Sequence, residues 1–288
     1  MNPWILASRP KTLPAAISPV ILGLALAYHN NQLNILVGSL TLLASILIQI
    51  GTNLANDAYD FLSGADNENR MGPKRATNSG LLNPKVVLNK MRLVFLFSII
   101  IGCYLAYIGG WPIVLIGLLA ILSGIAYTGG PYPLGYNGLG DIFVFVFFGL
   151  IAVPGTYYLQ TNTVSYESVL VGILCGSFST AILVVNNVRD LNTDKKSNKK
   201  TIAVILGKKF CEFEYFLMLL LGFSIPVYLN IFLNFKNSML LVLVTIPIAI
   251  KLILELHFEV GKKLNSVLER TARLYMIITI ILSFAIVS

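Results

Sequence analysis

The segment that decides the fold is residues 34–60, NILVGSLTLLASILIQIGTNLANDAYD. Its first 23 residues contain no charged side chain, and Asp57 and Asp60 then follow. A run of roughly 20 apolar residues can cross the hydrocarbon core of a bilayer as an α-helix, because every backbone N–H and C=O is satisfied within the segment. The segment therefore predicts a membrane-spanning helix with carboxylates at its end.

The rest of the chain has the same apolar character. Of its 288 residues, 56% are hydrophobic and 12% are charged, and the mean hydropathy is +0.78. This amount of apolar surface exceeds what one water-soluble core can bury. We therefore predict an all-α integral membrane protein with about nine transmembrane helices, at residues 13–29, 34–55, 93–109, 111–128, 140–159, 166–187, 214–233, 238–255 and 272–287.

The distribution of basic residues supports this topology. With nine spans and a cytoplasmic N-terminus, 20 of the 21 Lys and Arg residues fall on the cytoplasmic side, and only Lys236 does not. This asymmetry is what the positive-inside rule expects of a correct topology. The net charge of +8 is accordingly interpreted as a topological signal, and we predict no nucleic-acid binding.

Two oxygen-rich segments follow the second and sixth predicted spans, NLANDAYD at 53–60 and NNVRDLNTD at 186–194. At 100° per residue, the acids and amides of each segment share one stripe if the helix continues through it. Carboxylates that share a stripe at the membrane edge repel one another unless a cation lies between them. Because oxygen-only donors suit Mg²⁺, we predict a magnesium site. Its predicted ligands are Asn53, Asp57, Asp60, Asn187, Asp190 and Asp194, of which the four aspartates are the catalytic candidates.

A basic patch and a threonine follow each acidic segment, at 74–77 and 199–201. Guanidinium and ammonium groups are natural partners of phosphate oxygens. We predict a diphosphate site formed by Arg70, Lys74, Arg75, Arg189, Lys199 and Lys200. Held in this way, the diphosphate is a good leaving group, and aromatic rings can stabilise the allylic cation that its departure creates.

The recurrence of the pattern suggests an internal duplication within a single domain of residues 1–288. The two helix sets would cover about 13–130 and 140–287. The acidic motifs would lie in cytoplasmic loops at about 56–92 and 188–213.

These motifs resemble those of the UbiA family of membrane prenyltransferases, and more narrowly those of its 1,4-dihydroxy-2-naphthoate polyprenyltransferase branch. The resemblance covers nearly the whole chain, in motifs that occur in the same order. They are Trp4 with RPKTLP at 9–14, NLANDxxD at 53–60 with GAD at 64–66, GLGD at 138–141, GTYYL at 155–159, and NNxRDxxxD at 186–194 continuing through KTxAVxLG at 200–207.

The resemblance implies nine helices around a central cavity, with Mg²⁺ bridging the aspartates and a polyprenyl diphosphate. Naphthoate members join the prenyl chain to the ring with loss of CO₂ and diphosphate, which gives demethylmenaquinone. The implied location is the bacterial cytoplasmic membrane, with the active site on the cytoplasmic side. The chain has Gly64 where the wider family has an acid, and Asp66 follows instead. The metal ligand is therefore left open between Asp60 and Asp66.

The acceptor site is predicted from the same resemblance. An aromatic carboxylate requires a cation near the cavity mouth, and the candidate contacts are Arg9, Lys11, Asn56, Asp141 and Tyr127. Two alternatives stay open. One is a related enzyme that acts on 4-hydroxybenzoate, homogentisate or another aromatic acceptor, and the other is a cation-coupled transporter.

Overall fold

The computed structural model describes residues 2–66 and 70–288, and all regular structure within these residues is helical. Short 3₁₀ turns occur at Pro10–Thr12, Leu134–Tyr136 and Gly261–Lys263. The main helices are α1 (Pro3–Ser8), α2 (Pro14–His29), α3 (Ile35–Leu62), α4 (Pro84–Gly109), α5 (Trp111–Ala126), α6 (Gly140–Thr161), α7 (Tyr166–Lys196), α8 (Ile202–Phe232), α9 (Asn237–Phe258) and α10 (Leu264–Val287).

The helices have the length and composition of a multi-pass membrane protein. Among the described residues, seven are long and apolar enough to cross a bilayer, namely α3, α4 and α6 to α10. The segments Pro3–Thr12 and Pro14–His29 form a pair bent by 51°, which makes an eighth span only if the pair crosses the bilayer as one unit. The predicted span at 111–128 corresponds to α5, whose 16 residues rise only about 24 Å. The all-helical membrane fold is thus confirmed, whereas the predicted number of nine spans is not.

Several helices extend further than the hydropathy pattern predicts. The helix predicted at 34–55 continues to Leu62, and the helix predicted at 166–187 continues to Lys196. α4 begins at Pro84 and not at 93 as predicted. The side chain of Asn83 caps its first turn. A helix continues wherever its backbone bonds and caps are satisfied, and hydropathy does not report this. Both acidic motifs consequently lie on helix ends rather than in loops.

The long helix α7 lies at the centre of the bundle and packs against α2, α6, α8 and α10. Phe178 on α7 stacks on Tyr275 of α10, with 5.6 Å between the ring centroids. The backbones of α6 and α7 approach very closely, since a Cβ on Gly149 would lie 2.5 Å from the carbonyl oxygen of Gly172. Gly149 belongs to a π-helical turn, Val146–Ile151, in the middle of α6. This packing fixes α7 beside α6 and so places its acidic end.

The helices α4 and α5 lie at the periphery. α3 packs extensively against α4, with the ring of Phe95 directly against Gly51. The outer face of α4 exposes large apolar side chains such as Phe97 and Ile100. Exposed apolar faces of this size are typical of helices that contact lipid.

Candidate active site

A cavity of about 670 Å³ lies among helices α2 to α7. Its lining follows α3 from Thr41 to Asp60, which corresponds to about 28 Å of helix rise. Apolar side chains such as Ile113 and Phe147 line most of it. Eight charged side chains of the described residues also line it, four acids and four bases: Asp60, Asp66, Asp190, Asp194, Arg9, Arg70, Arg75 and Lys199.

Asp60, at the end of α3, connects the two loops that carry the basic patches at 74–77 and 199–201. Its Oδ2 lies 2.8 Å from Nη2 of Arg75, and its Oδ1 lies 3.0 Å from Nζ of Lys199. The hydroxyl of Tyr136 also donates to Oδ1. Lys199 lies over the ring of Tyr136, 4.4 Å from its centroid. One carboxylate therefore holds a cation from each loop.

Asp66 lies beside Asp60 and pairs with two arginines, Arg70 and Arg75. Burial lowers the pKa of Arg70, and the neighbouring charge of Arg75 lowers it further. Burial also acts to lower the pKa of Arg75, but the carboxylates of Asp60 and Asp66 outweigh it and raise that pKa. Burial and the charge of Asp60 raise the pKa of Tyr136, so its hydroxyl remains a hydrogen-bond donor.

The end of α7 supplies the second pair of acids. The guanidinium of Arg189 donates a hydrogen bond from Nε to Oδ1 of Asp190 at 2.9 Å. Its other nitrogens donate to the side-chain oxygens of Asn186 and Asn265. Asp190 and Asp194 both line the cavity, but Arg189 does not. The charges of Lys199 and Asp190 both act on the carboxylate of Asp194.

Asp57 has a different environment from the other predicted metal ligands. It is fully buried but does not line the cavity. Its carboxylate accepts hydrogen bonds from the backbone N–H groups of Ala76 and Thr77, both at 3.1 Å. Asp57 lies 100° from Asn56 around the helix, at the edge of the stripe, and its side chain therefore does not face the cavity. Asp57 fixes the first loop, and its role as a metal ligand or catalytic acid stays a prediction.

The structure separates the other predicted residues into two groups. Lys11 is 67% exposed and pairs with Glu269 at 2.6 Å, away from the cavity. Asp141 is buried behind Asn187, whose amide nitrogen is 3.4 Å from both carboxylate oxygens. Lys74 and Lys200 are exposed and also lie outside the lining. The predicted residues that do line the cavity, besides the eight charged groups, are Asn53, Asn56, Asn187 and Tyr127.

Four of the lining residues that were not predicted as site residues form hydrogen bonds with predicted ones: Thr12, Gln49, Thr128 and Tyr136. Gln49 precedes Asn53 by four residues, so a polar amide on the same helical stripe was a usable signal. Thr128 donates to the side-chain oxygen of Asn56 at 2.9 Å, across 72 residues of chain. The contact of Thr128, like that of Tyr136 with Asp60, depends on tertiary packing, and no local pattern indicates it.

The donors of the cavity fit a magnesium ion in chemical type. Carboxylate and amide oxygens from α3, α7 and the first loop face one space. Among the described residues, Oδ2 of Asp66 is buried 3.2 Å from Nε of Arg75 but accepts no hydrogen bond of good geometry. Within residues 2–66 and 70–288, no three Asp, Glu, His or Cys side chains converge as a preformed cage. Arginine and lysine already neutralise most of these acids. The arrangement therefore suits an ion that is shared with a bound anion.

Comparisons with known proteins agree with this geometry. Residues 16–277 match the model of the UbiA prenyltransferase family. A 1,4-dihydroxy-2-naphthoate octaprenyltransferase of Haemophilus influenzae is 42% identical over 212 residues, which cover 71% of this chain and 69% of that protein. The enzyme of the same description from Escherichia coli is 36% identical over 225 residues, which cover 76% of this chain and 73% of its own.

A solved structure extends the likeness to the whole fold. A UbiA homolog from Archaeoglobus fulgidus, bound to DMAPP and Mg²⁺, aligns with a TM-score of 0.70 over 99% of each chain, at 14% sequence identity. At that identity the likeness concerns the fold alone, and the matched motifs and the sequence relatives decide the family. The chain belongs to the UbiA prenyltransferase family.

Proposed function

We propose that this protein transfers a polyprenyl group from polyprenyl diphosphate to 1,4-dihydroxy-2-naphthoate, with loss of CO₂ and diphosphate, as the prenylation step of menaquinone biosynthesis. One observation carries the proposal: the acidic ends of α3 and α7 meet basic side chains at one end of a mainly apolar cavity. The description of the sequence relatives as naphthoate octaprenyltransferases supports this choice of acceptor.

The charged end of the cavity suits a diphosphate. Its four acids and four bases balance in formal charge, so the negative charge of a bound diphosphate needs further cations. Magnesium held by oxygens of Asp60, Asp66, Asp190 and Asp194 would supply that charge and stabilise the departing oxygen. Arg70, Arg75 and Lys199 would then donate to the phosphate oxygens.

The reaction balances without an external oxidant. The allylic C–O bond breaks and its electron pair leaves with the diphosphate. A new C–C bond forms between the allylic carbon and the ring, and the ring carboxylate leaves as CO₂, returning its electron pair to the ring. The product is demethylmenaquinone at the quinol level. Tyr127, Phe143 and Phe147 line the cavity and would stabilise the cation with their π faces while they exclude water.

The prenyl chain would extend from the charged end along α5 toward lipid. Val114 and Leu118 line the cavity and are also 56% and 54% exposed, so the cavity reaches the lipid-facing surface. Because the basic residues cluster beside the acidic ends of α3 and α7, these ends would face the cytoplasm. The protein would then act in the bacterial cytoplasmic membrane.

The test is product analysis with purified protein in detergent. We expect the mass of the prenylated, decarboxylated naphthoate to appear only with magnesium present, to vanish on chelation by EDTA, and to return when magnesium is restored. 4-Hydroxybenzoate and homogentisate, offered in parallel, should yield little product. Preferential prenylation of either compound would mean that the naphthoate is not the acceptor. Accumulation of a substrate in proteoliposomes without a covalent product would indicate that the protein is a transporter and not an enzyme.

Gly117 provides a test of the tail path. It lines the cavity, and a Cβ built on it meets no atom within 4 Å. We therefore expect Gly117→Leu to raise the KM for a C40 prenyl diphosphate about tenfold, because its side chain would occupy part of the tail path. The KM for a C10 substrate should change less than about threefold. Gly117→Ala is the matched control, and equal effects on both chain lengths would place the tail elsewhere.

A further inference from the structure

Arg189 fixes the direction of a cavity-lining acid without lining the cavity itself. Its side chain is 2% exposed, and it donates to both carboxylate oxygens of Asp190, at 2.9 Å from Nε and at 2.5 Å from Nη2. Nη2 also donates to the side-chain oxygen of Asn186 at 2.7 Å. A planar guanidinium that bonds both oxygens of a carboxylate holds it in orientation as well as in charge. The position of Asp190 therefore depends on the position of Arg189.

Asn265, the second residue of α10, binds the remaining nitrogen of this guanidinium. Its Oδ1 accepts from Nη1 of Arg189 at 3.0 Å, and its Nδ2 donates to the carbonyl oxygens of Met71 and Lys262, both at 3.0 Å. A guanidinium can only donate and a carbonyl can only accept, so this orientation of the amide satisfies all three partners. Asn265 therefore joins α7, the first loop between α3 and α4, and the start of α10.

Gly72 brings the backbone of the first loop against the same guanidinium. A Cβ built on Gly72 would lie 2.8 Å from Nη2 of Arg189 and 3.2 Å from Nη2 of Arg70. A side chain at this position would push the loop away from Arg189 or displace its guanidinium. The loop therefore lies closely on Arg189, and the hydrogen bond from Asn265 to Met71 holds it there.

The two sides that meet at Asn265 supply different parts of the charged end of the cavity. The first loop contributes Asp66, Arg70 and Arg75, and α7 contributes Asp190 and Asp194. The charge of Asp190 acts on both arginines of the loop, so the two sides lie close enough to share one bound anion. A ligand held from two sides binds well only when the distance between them is set before it arrives.

We propose that Asn265 is a positioning residue of the metal–diphosphate site, and that it fixes the distance between α7 and the first loop through Arg189 and the Met71 carbonyl. Asn265 does not line the cavity, so it acts through these two partners and not by contact with substrate. The inference rests on the proposed function, since it requires a diphosphate at the charged end of the cavity. It is independent of which acceptor the protein uses.

The first experiment measures the binding of inorganic pyrophosphate to the purified protein by calorimetry, with magnesium present. Asn265→Ala should weaken this binding and raise the KM for prenyl diphosphate, each about 10- to 100-fold, while the KM for the naphthoate changes less than about threefold. The matched control is Asn89→Ala, which should leave all three values unchanged. Oδ1 of Asn89 also accepts from an arginine, Arg92, at 3.0 Å, but both residues are exposed and lie outside the cavity lining.

Two further variants test the two contacts of the first loop. Asn265→Asp keeps an acceptor for Arg189 but sets a carboxylate oxygen against the Met71 carbonyl, so it should weaken pyrophosphate binding about as much as Asn265→Ala does. Gly72→Ala should weaken it as well, because the added Cβ meets the guanidinium of Arg189. Both changes act on one contact, so Gly72→Ala combined with Asn265→Ala should lose less than the product of the single losses.

The inference is overturned if Asn265→Ala binds pyrophosphate as the wild type does, even where its melting temperature falls, because Asn265 would then serve stability alone. Wild-type affinity in Asn265→Asp would exclude the Met71 bond, and an equal loss for pyrophosphate and naphthoate would exclude a specific effect on the diphosphate site. Where Asn265→Ala does not fold, Asn265→Asp and Gly72→Ala decide the question in the same assay.

Failure of the proposed function has a different signature. A wild type that binds pyrophosphate with magnesium but does not prenylate the naphthoate would refute the proposed acceptor and leave the role of Asn265 intact. A wild type that binds no pyrophosphate would remove the diphosphate site, and the role of Asn265 with it.

Discussion

Asp60→Asn is expected to lower kcat by about 100- to 1,000-fold at saturating substrates. The substitution keeps the shape of the side chain but removes the charge that Arg75 and Lys199 face. It also removes a carboxylate oxygen from the space where a metal–diphosphate complex would bind. Because this electrostatic contribution acts in a water-excluded site, its loss has a large effect on the departure of the leaving group. Product formation under single-turnover and steady-state conditions measures it.

A matched acid is available as a control for Asp60. Glu259 also pairs with a lysine, Lys263, at 3.2 Å, but it lies away from the cavity. Glu259→Gln should retain kcat within about twofold, as an exposed ion pair contributes little. If Asp60→Asn kept more than about one tenth of the wild-type kcat with an unchanged magnesium dependence, Asp60 would have no part in binding the metal or the diphosphate.

The sequence predicted much of the architecture because membrane insertion acts on local composition. Apolar runs located most spans, and the helical angle placed Asn53, Asn56 and Asp60 on one face, where the structure has them lining the cavity. The lower accuracy at helix ends has a physical cause. Helices continue into polar segments as long as caps and backbone bonds allow, and α3 therefore carries Asp60 on its last turns instead of in a loop.

The division of roles among the charged residues was less predictable. Lys74 and Arg75 are neighbours in one basic patch, yet Arg75 is buried between Asp60 and Asp66 while Lys74 is exposed. Arg9 and Lys11 diverge in the same way, because the left-handed turn at Arg9 directs one side chain into the cavity and leaves the other outside. Such differences depend on tertiary packing and on single backbone angles, which residue type and spacing do not encode.

Arg75→Met is expected to destabilise the protein by up to about 3–5 kcal/mol, because it removes a buried cation that two carboxylates share and leaves Asp60 with Lys199 alone and Asp66 with Arg70 alone. Arg75 and its two partners, Asp60 and Asp66, have side chains that are at most 7% exposed. Methionine preserves much of the apolar volume of the side chain, so the loss should come from the uncompensated charge rather than from a cavity. The apparent melting temperature in detergent should fall by roughly 10 °C.

Magnesium should distinguish this electrostatic cause from simple misfolding. Without Arg75, the carboxylates of Asp60 and Asp66 repel each other, and a divalent cation between them would relieve that repulsion. Added magnesium should therefore raise the melting temperature of Arg75→Met more than that of the wild type, and it should have no such extra effect on the exposed control Arg92→Met. Equal magnesium responses in all three proteins would mean that these two acids do not bind the ion together, and the proposed metal site would then need Asp190 and Asp194 alone.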